Sequence, residues 1–96
     1  MKIYVDIDNT ICKTAESDYI NSKPIFDNIK KINKLYEEGN TIIYWTARGA
    51  TSKIDYTDLT LSQLTEWGCK FNDLKMNDKP SYDLLICDKT KRIEEI

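Results

Sequence analysis

Two aspartates, Asp6 and Asp8, stand one residue apart where an apolar N-terminal segment gives way to a polar one. Lys2 to Ile7 holds the β-formers Ile3, Tyr4 and Val5, so it reads as a buried strand. Side chains alternate along a strand, which would turn Asp6 and Asp8 the same way. Like charges at neighbouring sites repel, and burying them unpaired is costly. A divalent cation relieves that conflict. One carboxylate then stays ionised as a nucleophile while the other exchanges a proton. The competing explanation is a pair of acids that merely caps a turn.

The elements that would carry these acids fit one domain, residues 1–96. A chain this short buries only roughly 60–65% of its unfolded surface, which leaves little room for a separate substrate domain. A net charge of −2 and a pI near 5.1 argue against a general nucleic-acid binder. Lys30, Lys31 and Lys34 share one predicted helix and read as its solvated face. Cys12, Cys69 and Cys87 are odd in number and lack Cys-x-x-Cys spacing, which suits a reducing cytosol. With no histidine, Ser-His-Asp and Cys-His mechanisms and His-ligated metals are excluded. No signal-like or membrane-spanning apolar run appears, so the expectation is a soluble, cytoplasmic chain without membrane partners.

Thr10 to Lys23 is polar and reads as a loop or small hairpin over the strand end. Ser22 and Pro24 mark a helix start, Ile25, Ile29, Ile32, Leu35 and Tyr36 recur at helical spacing, and Gly39 ends the run. Thr41 to Trp45 forms a second strand ending at Thr46. A second helix fits Tyr56 to Trp67, with Leu59, Leu61, Leu64 and Trp67 as its apolar positions and Gly68 as its stop. A weak third strand lies within Phe71 to Met76, and a clear fourth runs from Leu84 to Cys87 and ends at Asp88. Alternating strands and helices predict an α/β fold, a three-layer α/β/α Rossmann-like arrangement on a short parallel sheet. Ligands bind such sheets outside the carboxyl ends of the strands. Asp6 with Asp8, Thr46, and Asp88 each stand at such an end on a different strand. Convergent polar groups at that rim are the usual signature of a site.

In this order the motifs resemble the haloacid dehalogenase superfamily of aspartyl phosphatases. The matches are Asp6-x-Asp8-x-Thr10, Thr46 after an apolar strand, Lys79-Pro80, and the apolar strand from Leu84 ending in Asp88. Trp45 to Gly49 and Lys79 to Ile86 also look like small members without a cap domain, some of them assigned to surface-polysaccharide synthesis. The resemblance implies that Asp6 attacks phosphorus and that Asp8 protonates the leaving oxygen, then takes a proton from water. It implies that Thr46 and the Ala47 amide hold phosphate oxygens and that Lys79 offsets their charge. Asp6, the Asp8 carbonyl and Asp88 would coordinate Mg²⁺. Arg48 is a plausible clamp for a substrate phosphate or carboxylate, against the simpler reading of a surface arginine.

Three departures from the family pattern carry expectations of their own. Cys87 stands where a second acid often precedes Asp88, and Asp83 lies roughly five rises of ~3.3 Å away, so a weaker metal site is expected. Lys79 has only Pro80 to Asp83 before the next strand, so that strand is very short or the third is displaced; Lys89 is the reserve lysine. Asn9 replaces a frequent glycine, and asparagine tolerates the left-handed backbone such a turn uses. No segment is large enough for a cap, so either a large phosphorylated substrate or a homo-oligomer must cover the site. The expected activity is an Mg²⁺-dependent phosphomonoester hydrolase; the small members it resembles imply a sugar phosphate, while the residues themselves do not choose among sugar, nucleotide and peptide. A degenerate relative that binds phosphate and Mg²⁺ without turnover is the alternative. A receiver-type phospho-acceptor fits less well, because its phosphorylated acid lies on a middle strand and its Lys-Pro follows the last core strand.

Overall fold

The strand that carries the acids organises the sheet. In the computed structural model, residues 1–76 and 84–86 are described. β1 (Lys2–Asp6) lies between β4 (Thr41–Thr46) and β6 (Leu84–Ile86), and β5 (Asp73–Met76) extends the sheet beyond β4. All the pairings in this sheet are parallel, in the order β5-β4-β1-β6. The chain therefore leaves β1 towards one side for β4 and β5, and returns to its other side for β6. That reversal makes the carboxyl end of β1 a topological switch point, where a crevice opens in an α/β sheet.

Alternation decides which face is filled. Ile3 and Val5 pair in register with Ile42 and Tyr44, and Ile86 sits opposite Val5. All five are buried in one cluster with Ile29 and Ile32 of α1 (Phe26–Glu37) and Leu64 of α2 (Thr57–Glu66). Burying each such apolar side chain is worth about 1.5–3 kcal/mol, so this face dominates the core. Both helices thus pack on one face of the sheet, as two right-handed crossovers in the same direction require. Asn33 of α1 ties them together at the far end: its Nδ2 donates to the Gly68 carbonyl (3.0 Å), and its Oδ1 accepts from the Lys70 amide (2.8 Å). Tyr4 and Ile43 are buried on the opposite face. The described helices form one layer on the sheet, and a third layer is not among the described residues.

The polar stretch after β1 is the hairpin anticipated. β2 (Cys12–Lys13) pairs antiparallel with β3 (Lys23–Pro24), joined through a 3-10 turn at Tyr19–Asn21. This pairing also corrects the helix start. Pro24 belongs to β3 and α1 begins at Phe26, because the Ile25 amide donates to the Ile11 carbonyl (2.8 Å) before the helix begins. α2 differs from its expected apolar face too: Leu61 is 39% exposed, while Thr60 and Gln63 turn inward with Leu64. β6 pairs beside β1 and β5 lies at the far edge, while the tight Lys79 segment expected between them lies outside the described residues. Among the described residues no helix is long and apolar enough to cross a membrane, and none forms a cap over the rim.

Candidate active site

The segment after β1 is a locked turn. Asn9 adopts φ +63°, the left-handed conformation expected of it. That twist lets the Thr10 and Ile11 amides both donate to the Ile7 carbonyl (3.1 and 3.0 Å), while the Asn9 amide reaches the Cys12 carbonyl (2.8 Å). Asn28 of α1 holds the outside of the turn by donating from Nδ2 to the Thr10 carbonyl (2.9 Å). Asp6 ends the strand with Oδ1 accepting the Ile7 amide (2.9 Å). The alternation argument for Asp6 and Asp8 therefore fails one residue too soon. β1 stops at Asp6, and the direction of Asp8 is set by its partners.

Those partners centre on Arg48, which follows β4 and is only 1% exposed. Its Nε donates to Asp8 Oδ2 (3.1 Å) and its Nη2 to Asp8 Oδ1 (2.8 Å), a two-pronged ion pair. Nη1 donates to Gln63 Oε1 (2.6 Å) and Thr60 Oγ1 (3.2 Å) on α2, and Nη2 also points at Ser22 Oγ (3.5 Å). These acceptors match the five N–H donors of a guanidinium. The Tyr19 ring covers the charge at 4.8 Å from its centroid, a cation–π contact. A buried charge is tolerated only when paired and saturated in this way. The clamp expected of Arg48 is thereby corrected: its guanidinium is committed inside the protein and holds Asp8, leaving no prong for a substrate anion. Thr14 completes the grip, donating from Oγ1 to Asp8 Oδ1 (2.6 Å) and bonding to Ser22 Oγ (2.7 Å). Cys12 lies beneath, its Sγ 3.7 Å from Asp8 Oδ1, and burial pushes its thiol above the ordinary value.

β4 delivers the second part of the rim. Asp6 is in register with Trp45, so Thr46 and Ala47 follow directly beside the acids' turn. Thr46 is buried, and its Oγ1 accepts the Arg48 amide (3.1 Å). Ala47 is exposed and opens onto a cleft of about 230 Å³ lined by Ser17, Tyr19, Thr51, Ser52 and Tyr56. Tyr19 and Tyr56 meet edge to face there, at 5.0 Å between centroids.

The structure thus brings Asp6, Asp8, Thr46, Ala47 and Arg48 together around one switch point. Lys79, Asp88, the reserve Lys89, and Cys87 and Asp83 lie outside the described residues. Among the described residues no three acids, cysteines or histidines gather as metal ligands. Sequence reading missed Thr14, Ser22, Tyr19, Thr60 and Gln63. Thr60 and Gln63 were legible in principle, because with Leu64 and Trp67 they form an i, i+3, i+4, i+7 face that includes two polar positions.

No family model matches the sequence, and no curated protein does either. A crystal structure of an MCSG target from Vibrio cholerae is similar in fold, with a TM-score of 0.73 and 22% identity. The match covers 82% of this chain and 71% of that one. At that identity the likeness carries the α/β Rossmann-like architecture and nothing about chemistry.

Proposed function

We propose that this chain is a capless, Mg²⁺-dependent phosphomonoester hydrolase of the haloacid dehalogenase type, working through an aspartyl-phosphate. The observation that carries the reading is the juxtaposition at the switch point: Asp6 and the Asp8 turn end β1 while Thr46 and Ala47 end the adjoining parallel strand. Asp6 would attack phosphorus as the ester P–O bond breaks, and the leaving oxygen would take its proton from Asp8. Water would then attack the aspartyl-phosphate and return its proton to Asp8, releasing phosphate. The Thr46 hydroxyl and Ala47 amide would hold the phosphoryl oxygens, and Lys79 would offset their charge.

The donors present suit Mg²⁺. Asp6 offers a carboxylate and Asp8 a main-chain carbonyl, both hard oxygen ligands, and Asp88 would add a third. The Asp8 carboxylate itself is committed to Arg48 and Thr14, which leaves the carbonyl as that residue's ligand. When bound, the ion would neutralise phosphoryl charge beside Asp6. The cleft beside Ala47 has hydroxyls and tyrosine rings but no ionised side chain in its lining, which favours an uncharged polar organic group such as a sugar. A cytoplasmic setting agrees with the unpaired cysteines Cys12 and Cys69. With no cap among the described residues, a large substrate or a second copy of the chain would have to shield the site.

The same grip on Asp8 favours a second reading, binding of phosphate and Mg²⁺ without turnover, because both carboxylate oxygens already accept hydrogen bonds. Phosphate release from p-nitrophenyl phosphate and a panel of phosphorylated metabolites separates the two. Mg²⁺-dependent release that EDTA abolishes and Asp6→Asn removes is the expected result. Equal background from both proteins would favour the binder.

A further inference from the structure

Asp8 carries its hydrogen bonds unevenly. Oδ1 accepts from Arg48 Nη2 (2.8 Å), from Thr14 Oγ1 (2.6 Å) and, at longer range, from Cys12 Sγ (3.7 Å). Oδ2 accepts from Arg48 Nε alone among the described residues, at 3.1 Å. A carboxylate offers about four lone-pair positions, two on each oxygen. The donors crowd onto Oδ1, and a lone pair of Oδ2 is left for a proton. The side chain is 22% exposed, so part of Asp8 is open at the rim.

The anchor is itself held. Ser22 Oγ lies 2.7 Å from Thr14 Oγ1, so the hydroxyl that grips Asp8 is fixed from β3's side of the hairpin. Arg48 is fixed from α2 through Thr60 and Gln63, and Gln63 in turn donates from Nε2 to the Tyr19 carbonyl (2.7 Å). The hairpin and α2 thus clamp a single carboxylate from two directions. A turn aspartate without such partners would sample several rotamers, and proton transfer demands a donor within hydrogen-bond reach of the reacting oxygen.

We infer that Arg48 and Thr14 are positioning residues that anchor Asp8 by Oδ1 and present Oδ2 as the oxygen that passes the proton. The inference rests on the phosphatase reading above. In the first step the proton on Oδ2 moves to the leaving oxygen as the Asp6–phosphorus bond forms and the ester bond breaks. In the second, Oδ2 takes a proton from the attacking water.

The test is the leaving-group dependence of kcat/KM over substituted phenyl phosphates, from p-nitrophenyl to unsubstituted phenyl, with Mg²⁺ present. That parameter covers only the steps through departure of the leaving group, so the later hydrolysis does not intrude. Phenol resembles the tyrosine side chain, with a pKa of about 10, and its oxygen leaves poorly without a proton. p-Nitrophenolate needs much less help. Wild type, Thr14→Val, Thr14→Ser and Arg48→Lys would be compared, with melting curves to confirm folding. General-acid catalysis is worth about 10²–10⁴-fold, so Thr14→Val should lose at least about tenfold on phenyl phosphate. Its loss on p-nitrophenyl phosphate should be several-fold smaller. Thr14→Ser, which keeps the hydroxyl, should restore the wild-type slope, and Arg48→Lys, which keeps charge but loses one prong, should steepen it. Equal losses along the series would reduce Arg48 and Thr14 to structural roles and overturn the inference alone. A wild-type protein that releases no phosphate would overturn the phosphatase reading, and this inference with it.

Discussion

Gly49 closes the loop between Thr46 and α2, and replacing it with alanine tests that loop directly. Its φ of +85° belongs to the left-handed region, and a Cβ built there overlaps the Ile54 carbonyl oxygen. A backbone oxygen cannot rotate away as a side-chain tip can. The loop is drawn tight at this point because the Lys53 amide donates to the Gly49 carbonyl (2.9 Å) and the Ala50 amide to the Ala47 carbonyl (3.0 Å). Gly49→Ala incurs two costs. The left-handed backbone costs about 1–2 kcal/mol for a residue with a Cβ, and relieving the overlap costs about 1–3 kcal/mol more. Gly39 provides the control. Its φ is +97°, it caps the end of α1, and no atom lies within 4 Å of the point where a Cβ would stand. Gly39→Ala should therefore show the backbone cost by itself, and the entropy removed from the unfolded chain is common to both variants. Each kcal/mol lowers the melting temperature of a domain this size by about 4–8 °C. Thermal unfolding followed by circular dichroism should place Gly49→Ala at least about 4 °C below Gly39→Ala. On the proposed phosphatase reading it should also lose phosphate release, since the loop starts at Ala47, directly after Thr46. Equal melting temperatures would refute the tight approach of Gly49 to Ile54, and with it the described shape of the cleft.

Two further outcomes follow from the same geometry. Burial raises the Cys69 thiol from 9.0 to about 11, and burial raises the Tyr44 hydroxyl as well. Both groups stay protonated when folded under conditions where the unfolded chain ionises. The Cys69 contribution to stability is thus full below pH 9 and declines as the pH rises towards about 11, and that of Tyr44 starts to decline only as the pH rises past 10. Urea titrations at pH 7, 9 and 10.5 should show falling stability, and an alkyl iodide should label Cys69 far more slowly in the native than in the denatured protein. Asn9→Val should cost about 1–2 kcal/mol by forcing a β-branched residue into the left-handed turn, whereas Asn9→Gly should cost less in the same denaturation assay.

Three of the four strands were plainly legible because they are short apolar runs that end in polar residues, whereas β5, with Asp73 and Lys75, gave only a weak signal. Ile3 to Val5, Ile42 to Tyr44 and Leu84 to Ile86 announce themselves without any partner. Helix α1 was legible along its body but not at its start, because Pro24 is equally at home at a helix start and at the edge of a strand. Only the pairing of Lys23 and Pro24 with Cys12 and Lys13 decides between them, and that pairing is a long-range fact. The left-handed Asn9 was legible through the resemblance, which often has glycine at that position, and because asparagine tolerates that backbone.

Arg48 marks where reading along the chain stops. An arginine two residues beyond a strand is ordinarily at the surface, and a site-minded reading turns it towards a ligand. Nothing local to Arg48 contradicts either view. Its burial depends on acceptors 40, 26, 15 and 12 residues away, at Asp8, Ser22, Gln63 and Thr60. Each of those is ordinary as a polar residue in a turn, a hairpin or a helix. Together they saturate one guanidinium, and a buried charge is permitted only by that complete set. The polar inward face of α2 is the nearest thing to a signal, since a helix that points threonine and glutamine at the core needs a donor there to meet them. The donor is an arginine from the rim of the site. The consequence is mechanical as well as energetic, because the carboxylate expected to move a proton is held by the same residue that fills the gap between hairpin and helix.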